Sequence, residues 1–159
     1  MSTNPSSDSR KRFLLIRTDR VGDTILTFPA VTALRNNYPE AFISFLAQPY
    51  TVPLIEQYAG IDLLLSYEPE GRHRGWKGVL KLSHQLRELN FDAAILFYPR
   101  PELAFALLKA KIPLRIGTGY RWYSFLLNRR IYEHRKDCRK HESEYNLSLL
   151  ESLMPDKIT

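Results

Sequence analysis

FLLIRTDRVGDTILTFPAVTALRNNYP, residues 13–39, carries the reading that decides the fold. It opens on a short continuous apolar run that closes at an arginine, which predicts a strand over 13–17 buried on both faces. Residues 19–23 then predict a turn and residues 24–37 a helix. Pro29 is expected in the first turn of that helix or at a kink, because its ring clashes with the preceding turn of a helix interior.

The same alternation continues along the chain. Strands are expected over 41–47, 62–67, 91–98 and 114–117, and helices over 51–58, 76–89, 102–109 and 142–153. Within 76–89, Val79, Leu82, Leu86 and Leu89 fall on one stripe at helical spacing, with Lys81, Arg87 and Glu88 elsewhere. Strands separated by helices of this length need right-handed crossovers. The expected class is therefore α/β: an open, mostly parallel, Rossmann-like sheet with helices on both faces. One such domain is expected over 13–154, after a disordered leader over 1–12. Ligands of these sheets lie beyond the carboxyl ends of the strands, which directs attention to the loops at 18–23, 68–75, 98–101 and 118–123.

Composition narrows the function classes. A chain of 159 residues that is 44% hydrophobic and 25% charged has the balance of a folded globular domain. No apolar run approaches the roughly 20 residues that span a bilayer. Only four apolar residues follow the basic start, too few for a secretory signal, so a cytoplasmic protein is expected. Cys138 is the single cysteine, which excludes an internal disulfide and a cysteine-based zinc cluster. The chain carries 23 basic and 17 acidic residues, net +6. Residues 109–141 alone hold ten Lys or Arg against Glu133 and Asp137, net +8, which leaves −2 for the remainder. Such a one-sided field suits an anionic partner: a phosphorylated glycolipid, an anionic membrane surface or nucleic acid. A solvated basic face is the plainer alternative. No zinc-finger or RNP-like motif supports nucleic acid, which is not expected as a partner.

The first loop holds the chemistry. Gly22 lets the backbone approach a ligand closely or take a positive φ, and the amides around it sit where a helix start offers free donors. Spacing alone leaves Asp23 as either a helix N-cap or a working carboxylate, the cap being the commoner role. The loop is not a nucleotide fingerprint: there is no G-x-x-x-x-G-K-[ST], and the residues after Gly117-Thr118-Gly119 do not complete G-x-G-x-x-G.

This opening block, a strand ending in Ile-Arg, then Val-Gly-Asp, then a helix with Leu-Thr-x-Pro-Ala and a closing Tyr-Pro, resembles glycosyltransferase family 9, the ADP-heptose lipopolysaccharide heptosyltransferases. Leu89-Asn90-Phe91-Asp92-Ala93-Ala94-Ile95, Arg115-Ile116-Gly117 and the helix from His141 to Leu150 resemble later blocks of that family, so that the likeness runs over about residues 13–153.

The resemblance implies a two-domain, metal-independent, inverting enzyme of which this chain is the N-terminal, acceptor-side half. ADP-heptose would bind a C-terminal domain that this chain lacks, and no cofactor is expected. The acceptor implied is an anionic lipid A–core precursor at the cytoplasmic face of the inner membrane, with peripheral contact to that anionic surface. Asp23 takes the role of catalytic base. A helix N-terminus would keep it ionised but weaken it as a base, which burial in a closed cleft would have to offset. Val21, Gly22, Arg72, His73, Arg74, Arg100 and Arg121 are the acceptor-binding candidates. For the 72–74 group the fork geometry of arginine suits phosphate and carboxylate, and a solvated loop is the alternative. Arg115, His141 and Glu144 are read as structural or cleft-shaping. His141 and Glu144 stand three apart on a helix, but no second pair completes a metal site. His84 and His134 read as surface residues and Trp76 as packing. The donor half's lysine-bearing strand end, glycine-rich phosphate loop and nucleoside carboxylate are not found, so the chain alone is expected to fold and to transfer no heptose. A non-catalytic domain that binds anionic glycolipid or membrane through 109–141 is the rival reading.

Overall fold

The computed structural model describes residues 10–132, 142–151 and 153. Six parallel strands form one sheet: β1 (Arg12–Ile16), β2 (Phe42–Ala47), β3 (Leu63–Ser66), β4 (Ala93–Leu96), β5 (Leu114–Thr118) and β6 (Arg129–Ile131), in the order β3-β2-β1-β4-β5-β6. The helices are α1 (Val21–Ile25), α2 (Phe28–Asn37), α3 (Val52–Ile55), α4 (Gly75–Glu88), α5 (Pro101–Lys109) and α6 (Glu142–Leu150). Each parallel step needs a crossover, and the order reverses between β1 and β4, so the chain leaves these two neighbours toward opposite faces.

Alternation along the central strands separates two cores. Leu14 and Ile16 of β1, with Ala94 and Leu96 of β4, join Val79, Leu82 and Leu86 of α4 and Leu103 and Leu107 of α5. Phe13 and Leu15, with Ala93 and Ile95, join Val31 and Leu34 of α2 and Leu149 of α6. Burial on both faces explains why β1 and β4 are continuous apolar runs.

Four expectations are corrected. The helix expected over 24–37 is two helices, broken at Leu26 and Thr27, with Pro29 near the start of the second, where it removes no helix hydrogen bond. Its first piece begins at Val21 with Arg20 as N-cap, so Asp23 lies in the first turn and is not a cap. Gly22 is helical; the positive φ angles belong to Gly60, Gly75, Asn90 and Lys111. Arg12, expected outside the domain, begins β1: its N–H donates to Asp92 Oδ2 at 2.8 Å and its guanidinium lies over Phe42.

β6 was not anticipated. Its three residues, two of them exposed arginines, form a short charged edge strand that offers little apolar signal and resists edge-to-edge pairing. His134 and His141 lie outside the described residues, as does the side chain of Glu144.

Candidate active site

The carboxyl ends of β1 and β4 meet at the topological switch point, and a buried arginine organises them. Arg17, 2% exposed, follows β1 directly and donates from Nε and Nη2 to Asp19 at 2.6 and 2.9 Å. Its Nη1 donates to Asn146 Oδ1 of α6 at 3.2 Å. A buried guanidinium has to be neutralised, and the bidentate carboxylate does this while fixing the plane of the ion. Asn146 also donates to the Leu26 carbonyl at 3.0 Å, which ties the break between α1 and α2 to α6.

Asp23 stands beside this ion pair. Its Oδ1 is 3.8 Å from Arg17 Nη2 and its side chain is 34% exposed, so the carboxylate faces a cation on one side and open solvent on another. Val21 and Gly22 are exposed next to it, and a Cβ added to Gly22 would meet nothing within 4 Å. The loop is braced from the turn after β2, where the Gln48 amide donates to the Thr18 carbonyl and the Tyr50 hydroxyl to the Asp19 carbonyl at 2.7 Å. From the other side Arg100 Nη2 approaches the Thr18 carbonyl at 3.5 Å, and both Arg17 and Arg100 lie over the Tyr98 ring. Thr18 Oγ1 and Arg100 Nε are buried without a hydrogen-bond partner.

Arg100 also connects this corner to a cavity of about 770 Å³ between the starts of α4 and α5 and the β5–β6 connection. Trp76, Phe105, Trp122 and Phe125 form its aromatic wall, and Glu70 and Glu102 supply carboxylates. Trp76, expected to pack, does so by a tilted contact at 4.5 Å on Phe105, and at 61% exposure it also lines the cavity.

The loop after β3 divides its three candidates. His73 is buried, stacks on Tyr67, and its Nδ1 accepts from the Glu68 N–H at 2.9 Å. Burial pushes this imidazole below its ordinary value, the Arg72 charge adds to that, and the neutral form is the one that can accept. Gly78 lets the loop cross α4: a Cβ there would stand 2.1 Å from the His73 carbonyl carbon. Arg72 pairs with Glu68 on the surface, and Arg74 is exposed at the N-cap of α4 without a capping bond. Of the three, only His73 lines the cavity, and Arg121 does not. Arg115 donates to the carbonyls of Leu126 and Ile112, both at 2.8 Å, tying β5 to a cavity-lining residue; burial lowers its pKa.

Sequence reasoning missed Arg17, Asp19 and Asn146 as a unit. An arginine closing an apolar strand with an aspartate two residues on was the available signal; the asparagine, 129 residues away, gave none.

No family model matches the chain. It is 29% identical over 135 residues to lipopolysaccharide heptosyltransferase 3 of Escherichia coli, covering 83% of this chain and 39% of that protein. It superposes on the E. coli ADP-heptose LPS heptosyltransferase II with a TM-score of 0.72 at 27% identity, over 87% of this chain and 39% of that one. Relatives at 26–29% identity are named as lipopolysaccharide heptosyltransferases. The fold is also that of a glycosyl transferase family 9 structure from Veillonella parvula, with a TM-score of 0.81 at 22% identity, covering 90% of this chain and 41% of the other. The chain spans 41%, 39% and 31% of the length of the curated relatives it matches.

Proposed function

We propose that this chain is the acceptor-side half of an inverting, metal-independent glycosyltransferase that moves heptose from ADP-heptose to the inner core of lipopolysaccharide. The observation that carries the reading is the position of Asp23, a partly exposed carboxylate at the switch point of a parallel sheet, 3.8 Å from a buried cation. Relatives named as lipopolysaccharide heptosyltransferases supply the reaction class.

The chemistry asks for one base. An acceptor hydroxyl bound against Val21 and Gly22 gives its proton to Asp23 as the oxygen attacks the anomeric carbon. The bond from that carbon to the diphosphate oxygen breaks on the opposite face, and ADP leaves with the electron pair. Arg17 and Asp19 position Asp23, and Arg100 reaches from the cavity side toward an acidic or phosphorylated group of the acceptor. The nucleotide sugar binds a second domain that closes over this face. The protein acts at the cytoplasmic face of the inner membrane, where exposed Arg121, Arg129 and Arg130 suit an anionic surface.

The test joins this half to a nucleotide-sugar half in one enzyme and supplies ADP-heptose and core-deficient lipopolysaccharide. NMR of the product is expected to show transferred heptose with inverted anomeric configuration. Retention, or no transfer by the joined enzyme, would overturn the proposal.

A further inference from the structure

The cavity between α4 and α5 is chemically unlike the rest of the protein. The chain as a whole is net +6, yet the cavity is lined by two carboxylates, Glu70 and Glu102, against one guanidinium, Arg100. Its only histidine, His73, is held neutral as the acceptor of a backbone N–H. The wall is aromatic, and Trp122 at its rim is 80% exposed, a large apolar ring left in water. Tyr67 adds a phenol ring, 2% exposed, to the lining. Flat rings that stack on the apolar faces of a pyranose, with carboxylates that accept from its hydroxyls, are the chemistry that recognises an uncharged sugar. A phosphate or sugar acid would meet Glu70 and Glu102 as like charges. Asp23 is not among the lining residues, but Arg100 lines the cavity and reaches the Thr18 carbonyl of the Asp23 loop.

We infer that this cavity is an acceptor subsite for a neutral, hydroxyl-rich sugar unit adjacent to the reacting one, with Trp76 and Trp122 as stacking platforms and Glu70 and Glu102 excluding sugar acids. This rests on the glycosyltransferase reading and deepens it. The acceptor enters with an uncharged sugar in the cavity and passes beside Arg100 to present its hydroxyl at Asp23. Arg100, at the junction, is the point where an anionic substituent is tolerated.

The two tryptophans of the chain both line the cavity, so intrinsic fluorescence reports on it directly. The 159-residue chain is titrated with a methyl heptoside, a methyl hexoside and, as the anionic probe, the methyl glycoside of a 3-deoxy keto-sugar acid. Saturable emission changes with the neutral glycosides, and binding of the sugar acid at least about tenfold weaker, are expected. Trp122→Ala should weaken neutral binding up to about tenfold while Trp122→Phe retains it. Glu102→Gln should narrow the gap between neutral and acidic probes. Equal or tighter binding of the sugar acid, or no emission change with the neutral glycosides, would overturn the assignment. Asp23→Asn should leave these titrations unchanged. If they fail in a chain whose joined enzyme still loses turnover with Asp23→Asn, the subsite falls and the transferase reading stands.

Discussion

The Arg17 guanidinium holds Asp19 by two hydrogen bonds and, from the same nitrogen that makes the second, stands 3.8 Å from Oδ1 of Asp23. One buried cation thus serves two carboxylates unequally: Asp19 is consumed in neutralising it, and Asp23 is left partly in solvent with a positive charge behind it. In the proposed transferase, that inequality is what would leave the Asp23 carboxylate, and not Asp19, open to a substrate.

Arg17→Met tests the arrangement. It leaves Asp19 and Asn146 facing an apolar side chain and should destabilise the chain by about 3–5 kcal/mol, the usual result of removing one partner from a buried pair. Urea denaturation followed by circular dichroism measures it, and a loss below about 1 kcal/mol would mean that the network contributes little to the fold.

Two glycines should respond in opposite ways. Gly78→Ala drives a Cβ into the His73 backbone and should cost at least about 1–3 kcal/mol. Gly22→Ala meets open space inside a helix and should be neutral or stabilising by up to about 1 kcal/mol. If acceptor lies against Gly22, the same variant should raise KM without loss of stability. Denaturation midpoints and steady-state kinetics on the pair give both comparisons.

Stability should fall in mild acid through His73. Its folded-state pKa is depressed, so above the ordinary value of 6.5 both states are neutral and the contribution is fully present. As pH drops below 6.5 the unfolded chain takes up the proton first, and stability is lost until the folded pKa is passed. Denaturation midpoints measured across pH 5 to 8 should decline on the acid side, with the decline reduced in His73→Gln. An unchanged slope in that variant would show that other groups cause it.

Contact with an anionic bilayer should be electrostatic. Replacing Arg129 and Arg130 by Gln should reduce co-sedimentation with anionic vesicles, and added salt should do the same, while Asp23→Asn leaves it unaltered. Binding that resists salt and ignores the arginines would contradict this contact.

The parallel sheet was legible because its central strands are buried on both faces, so FLLI and AAIL carry no polar interruption. The break between α1 and α2 was less so: the apolar spacing runs through it, and it is fixed partly by Asn146, which binds the Leu26 carbonyl from 120 residues away. Asp23 could be picked out because it sits in a local motif. The cavity could not, since Trp76, Glu102 and Trp122 come from three separate loops and helix starts and meet only through the packing of α4 against α5. Arg72 and Arg74 could be placed in the loop after β3 from sequence, but not their surroundings: one pairs with Glu68 and the other stands at a helix start.

The most direct test of the central claim is the turnover of Asp23→Asn in the joined enzyme, measured as ADP release beside acceptor affinity. kcat is expected to fall about 10²- to 10⁴-fold with acceptor Kd unchanged, because the amide keeps the shape and loses the base. Near-normal turnover would contradict it and leave Asp23 as a first-turn carboxylate beside Arg17 with no part in the chemistry.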